Sequence, residues 1–222
     1  MAATRDGIDA LLRDRGLRRT APDLTGESLL RGAHASAVLE GSSSSLEEIR
    51  AGRGGGMARA AVRISTELLG LAPVLAHSPR QALARIHSVA GNGVVDSDDL
   101  GRPRSREAAD RLGELSGLLV AETSAPALVV AAVVHAEIAS AAPFVSHNGI
   151  VARAAERLVL VGRGVDPRSL VVPEVGHLKL QREYVSNLRG YQEGGVPGVQ
   201  SWLLYAAEAY AAGTEASPAR DR

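Results

Sequence analysis

The chain has 222 residues, with 25 basic and 25 acidic side chains, 45% apolar residues and no cysteine. That length and apolar share predict a single domain with a sizeable core, and the balanced charge argues against a nucleic-acid or membrane-surface binder. The missing thiols exclude disulfides, zinc–thiolate sites, iron–sulfur clusters and cysteine nucleophiles. Met1–Arg19 has no apolar leader, and the longest apolar run, Ala125–Ala136, is too short for a bilayer and is interrupted by His135. The expectation is a cytoplasmic protein with neither nucleic acid nor membrane as partner.

Ala, Leu, Val and Gly dominate, aromatics are 3%, and Lys179 is the one lysine among the bases. Such a composition favours helices that pack closely. Helical spacing of apolar residues recurs along the chain, while sustained alternation does not. Ile8–Arg15 is a short amphipathic start, and Ser28–Glu40 is a helix closed by Gly41. Ser45-Leu46-Glu47-Glu48 is a capping box opening the next helix. Met57–Leu75 and Pro79–Val89 follow as helices, the second with proline at its first position. Gly91–Arg104 is a loop, Ser105–Ala121 a helix, and Ala125–Ala141 is apolar on nearly all sides, the mark of a central buried helix. After a loop at Pro143–His147, helices are predicted over Asn148–Val161, His177–Tyr191 and Val196–Ala212, with Gly162–Gly176 as connector. The ends, Met1–Asp6 and Thr214–Arg222, are expected to fray. The fold class is all-α.

The segment with most chemical content is Ala141-Ala-Pro-Phe-Val-Ser-His-Asn-Gly-Ile-Val-Ala-Arg153. A helix ends, a tight loop turns, and a second helix starts at once. Free N–H groups at that start, with the positive end of the helix dipole, form an anion cradle. Arg153, four residues after Gly149, can clamp a phosphate or carboxylate at the same end. The plainer reading is a well-capped helix–loop–helix with Arg153 in a surface ion pair.

Pro143-Phe144, Asn148-Gly149 and Arg153, set after an apolar helix carrying His135, resemble the Fic (Fido) family motif H-P-F-x-[DE]-G-N-G-R-x-x-R. Upstream, Ser36-Ala37-Val38-Leu39-Glu40-Gly41 is similar to that family's inhibitory motif, [ST]-x-x-x-E-[GN]. The resemblance implies a Fic-like helical bundle with a short flap loop or hairpin. Its core, inhibitory helix included, would lie over about residues 25–165, with 166–214 a helical extension of the same domain. It also implies transfer of AMP from ATP to a protein hydroxyl, with a motif histidine as base and an acidic residue holding Mg²⁺. Residue by residue, the base position is Ala142, the metal position Ser146, the first glycine His147 and the first arginine Ile150. The base and the metal ligand are therefore lost. What remains for nucleotide phosphates is Ser146, His147, Asn148, Gly149 and Arg153, while Ser36, Glu40 and Gly41 form the inhibitory element. A Glu40–Arg153 ion pair that competes with ATP is expected.

Three functions stay open: a nucleotide-binding or regulatory relative with weak or no AMP transfer, an active transferase using His147 or substrate-assisted chemistry, and a non-catalytic interaction module. The last could form a homodimer through Trp202, Tyr205 and Tyr210, although packing of that helix on the core is favoured. Arg102 and Arg104 sit where the resemblance places the flap that aligns a target peptide. Asp96, Asp98, Gly101 and Glu107 match part of a calcium loop, but Leu100 stands where an oxygen is needed. His135-Ala-Glu137 has the spacing of zinc deaminases without their cysteines, and the remaining histidines have no ligand spacing, so no metal site is assigned.

Overall fold

A computed structural model describes residues 1–13 and 21–221. The end of the first predicted helix, Asp14–Arg15, lies outside the described residues. Among the described residues the regular elements are all helices: α1 (Ala2–Leu12), α2 (Ala21–Leu39), α3 (Leu46–Arg50), α4 (Gly56–Glu67), α5 (Ala72–His77), α6 (Pro79–Gly91), α7 (Arg106–Val120), α8 (Ala127–Ala141), α9 (Asn148–Gly162), α10 (Pro173–Lys179), α11 (Gln181–Glu193) and α12 (Gly195–Glu215). Short 3₁₀ turns at Leu68–Leu71 and Pro218–Arg220 complete them. None of these helices is long and apolar enough to cross a membrane.

Local chemistry accounts for several boundaries. Gly41, at φ +86°, closes α2: its N–H donates to Val38 O and the Ser42 N–H to Ala37 O, the two bonds of a Schellman motif. Ser45 and Glu48 form the reciprocal capping box of α3. The stretch Met57–Leu75, read as one helix, breaks at Leu68–Leu71 because Pro73 cannot donate to the carbonyl four residues back and its ring crowds it. The helix expected over His177–Tyr191 is two, α10 and α11, parted at the non-helical Leu180.

The central element is α9 rather than α8. Every residue from Ile150 to Leu160 is buried, although Arg153, Glu156 and Arg157 interrupt the apolar pattern. Their charges are paired inside the protein, so the sequence pattern understates their burial. Arg157 donates from Nε and Nη2 to both oxygens of Glu174 on α10, at 2.9 and 2.5 Å, and from Nη1 to Ser169 Oγ at 2.8 Å. α8 packs along one side of α9, while α2, α5 and α6 also touch it.

The far side of the core comes from α12. Trp202, Tyr205 and Tyr210 are buried, and Trp202 Nε1 donates to Ala132 O of α8 at 2.8 Å, so these aromatics pack on the core rather than on the surface. Among the described residues, those near both ends have partners in the core rather than the fraying expected over Met1–Asp6 and Thr214–Arg222. Thr4 of α1 donates to Ala207 O, Thr214 and Ser217 are buried, and Asp221 pairs with Arg31 of α2.

Candidate functional site

The end of α2 meets the start of α9. Arg153 is 1% exposed, and its Nε donates to Ser36 Oγ at 2.8 Å while Nη2 donates to Ser36 O at 3.2 Å and to Glu40 Oε1 at 2.6 Å. Ser36 and Glu40, one turn apart on one face, thus grip a single guanidinium. Arg153 is an interior residue, not a surface ion-pair partner. Glu40 keeps 25% of its side chain exposed. A Cβ on Gly149 would fall 2.1 Å from Glu40 Oε1 and 3.2 Å from Arg153 Nη1, so the carboxylate fills the space that only glycine leaves against the first turn of α9. A carboxylate there faces the free N–H groups and the positive end of the helix dipole. Gly41 contributes only the turn that follows and is itself exposed.

The loop before α9 is held by its own side chains. Asn148 Oδ1 accepts from Phe144 N–H and its Nδ2 donates to Phe144 O, both at 2.9 Å, so its amide closes the loop and leaves the backbone of the helix start to face a ligand. Phe144 is buried and stacks on His87 of α6, ring centres 4.3 Å apart and 7° from parallel. His147 precedes α9 in the left-handed region, φ +57°. It makes no side-chain cap, the role a loop histidine commonly fills; its Nδ1 pairs with Ser146 Oγ at 2.6 Å. Burial pushes the His147 imidazole below the usual histidine range, Arg63 adds to that, and Glu40 opposes it. Ala142 ends α8 at φ +41°, ψ +60° and offers no proton acceptor.

The loop between α6 and α7 lies alongside. Arg104 N–H donates to Pro143 O at 2.8 Å, and Gly101 N–H donates to His87 Nδ1 at 2.9 Å. The segment is a series of turns, not a hairpin, and the Arg102 and Arg104 side chains are exposed. Asp96, Asp98 and Glu107 do not gather as a cation site among the described residues.

A Mg²⁺ ion does not fit the α9 start. Ser146 Oγ is taken by His147, and the adjacent carboxylate, Glu40, is taken by Arg153. The oxygen that Glu40 supplies to the Arg153 guanidinium is of the kind any carboxylate or phosphate offers.

A second polar cluster lies deeper. His135 of α8, Glu156 of α9 and His177 of α10 are wholly buried and offer ligand atoms within 4.8 Å of one another. Glu137 takes no part, pairing instead with Arg111 and Tyr191. No spacing rule links the three residues, so sequence reading passes over Glu156 and His177; the available clue was a charged residue inside an apolar helix.

No protein-family model matches the sequence, and no curated protein matches it. Solved structures do. A Fic family protein from Desulfovibrio desulfuricans G20 superposes with a TM-score of 0.77 at 19% identity, over 94% of this chain and 71% of that one. Fic-1 from C. elegans gives 0.75 at 17% identity, over 97% and 69% of the two chains. A Glu-to-Gly variant of Fic-1 gives 0.72 at 18% identity, over 97% and 68%. The chain has the Fic fold; at these identities the likeness speaks for the fold alone.

Proposed function

We propose that the start of α9 binds the phosphates of a nucleotide such as ATP, that Glu40 competes for the same guanidinium, and that AMP transfer is weak or absent. The observation that carries this reading is the Glu40 carboxylate seated on Arg153 and against Gly149, an internal anion where a ligand's anion would sit. Swinging Glu40 away uncovers a buried guanidinium still braced by Ser36, together with the helix N-terminus. Transfer to a protein hydroxyl further needs a proton acceptor within hydrogen-bond reach of that hydroxyl. Ala142 is not one, and His147 is buried and paired with Ser146. The reading is therefore of a nucleotide-responsive, regulatory protein.

The test is thermal unfolding of the wild type and Glu40→Gly with ATP, ADP or AMP, each with Mg²⁺ and with a chelator. A ligand at 100 times its Kd adds about 2.7 kcal/mol, a rise of roughly 5–10 °C for a chain of this size. The expected result is a larger ATP shift in Glu40→Gly than in the wild type, retained in the chelator because no carboxylate is free to hold Mg²⁺. No shift in either protein, or equal shifts, overturns the reading.

A further inference from the structure

His135, Glu156 and His177 come from three different helices, and each is 0% exposed. Glu156 Oε2 lies 3.0 Å from His135 Nδ1 and 2.9 Å from His177 Nε2. Metal–ligand bonds of about 2.0–2.1 Å put neighbouring donor atoms about 3.0 Å apart at a right angle and about 3.4 Å apart in a tetrahedron. These two separations, also those of hydrogen bonds, match the first geometry, and the His135 and His177 donor atoms lie within 4.8 Å of each other.

Two further observations point to a cation. First, His135 Nδ1 is buried without a hydrogen-bond partner, although Glu156 Oε2 is only 3.0 Å away. Second, the outward atom of each prospective ligand is held by a tyrosine. His135 Nε2 pairs with Tyr184 Oη at 3.0 Å, His177 Nδ1 pairs with Tyr205 Oη at 2.7 Å, and Tyr210 Oη donates to Glu156 Oε1 at 2.8 Å. Such outer hydrogen bonds fix ring orientation and tautomer in metal sites and turn the remaining lone pairs toward the ion.

We infer that His135 Nδ1, Glu156 Oε2 and His177 Nε2 form a three-ligand site for a divalent transition cation, which clamps α8, α9 and α10 together. Two imidazoles and a carboxylate, with no thiolate, suit a divalent first-row ion such as iron(II) or zinc, and zinc, which has no redox chemistry and no preferred geometry, is the probe used below. The full burial of the ligands means that the ion enters as the chain folds. Arg153 lies one turn before Glu156, so the clamp also fixes the helix that carries the guanidinium. The inference is independent of the nucleotide reading.

The experiment uses the tag-free full chain, expressed with zinc and analysed for bound metal. The protein is then unfolded in chelator, dialysed and refolded with Zn²⁺, with Co²⁺ or with neither. The expected result is about one zinc per chain, a higher Tm for protein refolded with Zn²⁺ than without, and visible Co²⁺ absorption typical of nitrogen and oxygen ligands. Glu156→Gln should drop the occupancy at least tenfold. If that variant does not fold, Tyr205→Phe, which leaves all three ligands in place, should weaken zinc retention about 10–100-fold in a chelator competition. Wild type with no metal after either preparation overturns the inference, leaving a hydrogen-bonded network. Metal that survives intact in Glu156→Gln, or zinc retention unchanged in a folded Tyr205→Phe, overturns it as well.

Discussion

At Ala142 the backbone turns left-handed to end α8, φ +41° and ψ +60°, and carries a Cβ where glycine usually stands. The strain of an alanine there is about 1–2 kcal/mol, partly offset because glycine would loosen the unfolded chain. Ala142→Gly should therefore raise stability by about 1 kcal/mol and Tm by about 2–4 °C. Thermal unfolding monitored by circular dichroism checks this, and a fall in Tm would mean that the methyl packs more than it strains. Other single residues differ in how openly the sequence displays them. Glu40 and Arg153 stand 113 positions apart, and their pairing was legible only because two short motifs resemble one family's. Glu156 and His177 belong to no motif. Their proximity follows from the connector after α9, where Asp166 accepts from the Leu170 and Val171 N–H groups and so sets the entry of α10. No spacing along the chain encodes such a turn.

Helix α6 connects the two loops beside the site through one ring. His87 stacks on Phe144, accepts from Gly101 N–H at Nδ1, and leaves its buried Nε2 without a partner. A Cβ on Gly101 would fall 2.6 Å from Ser88 Oγ and 2.9 Å from Ala84 O, so the loop needs a glycine at this crossing. Burial, and next the nearby His147, lower His87 to about 4, with Asp99 opposing. Because the unfolded ring titrates near 6.5, the unfolded chain takes up a proton that the folded one refuses between those values. This contribution to stability is whole above pH 6.5 and falls, by about 3 kcal/mol, as pH drops to 4. Protonation of Nδ1 would also remove the acceptor that holds Gly101. Urea unfolding across pH 4–7.5 should show a steeper loss in the wild type than in His87→Gln, which cannot titrate; parallel curves would place the proton uptake elsewhere. At this scale the sequence revealed the elements well: the capping box, Gly41 and Pro79 act where expected. It misjudged which helix is central, because hydropathy counts Arg153, Glu156 and Arg157 as surface residues when their partners lie far along the chain.

In the sequence, residues 166–214 are an extension only because the family resemblance covers about residues 25–165. Their contacts, however, reach the interior of the whole molecule. Gly176 of α10 and Gly213 of α12 bring two helices into backbone contact: a Cβ on Gly176 would fall 1.9 Å from Ala209 O, and one on Gly213 would fall 2.7 Å from Val172 O. The Val172 N–H donates to Gly213 O across the same crossing. From this contact α12 delivers Trp202 to α8, Tyr205 to His177 of α10 and Tyr210 to α9, while α1 docks on its other side. Separating α10 from α12 should therefore loosen the core around α8 and α9, not just the end of the chain. In Gly176→Ala the clash is with main-chain atoms, which cannot rotate away, so the expected loss is about 3 kcal/mol, the upper end of the usual cost of overpacking. Trp202 fluorescence and far-ultraviolet circular dichroism should trace one coincident urea transition in both the wild type and the variant, moved to lower urea in the latter. If fluorescence changes first, α10–α12 is a separately folding unit, and the buried aromatics do not bind it to the rest as tightly as their packing requires. One coincident transition would instead tie the two sides of the connector into a single cooperative structure through Glu156, which is held by His135 of α8 on one side and by His177 and Tyr210 on the other.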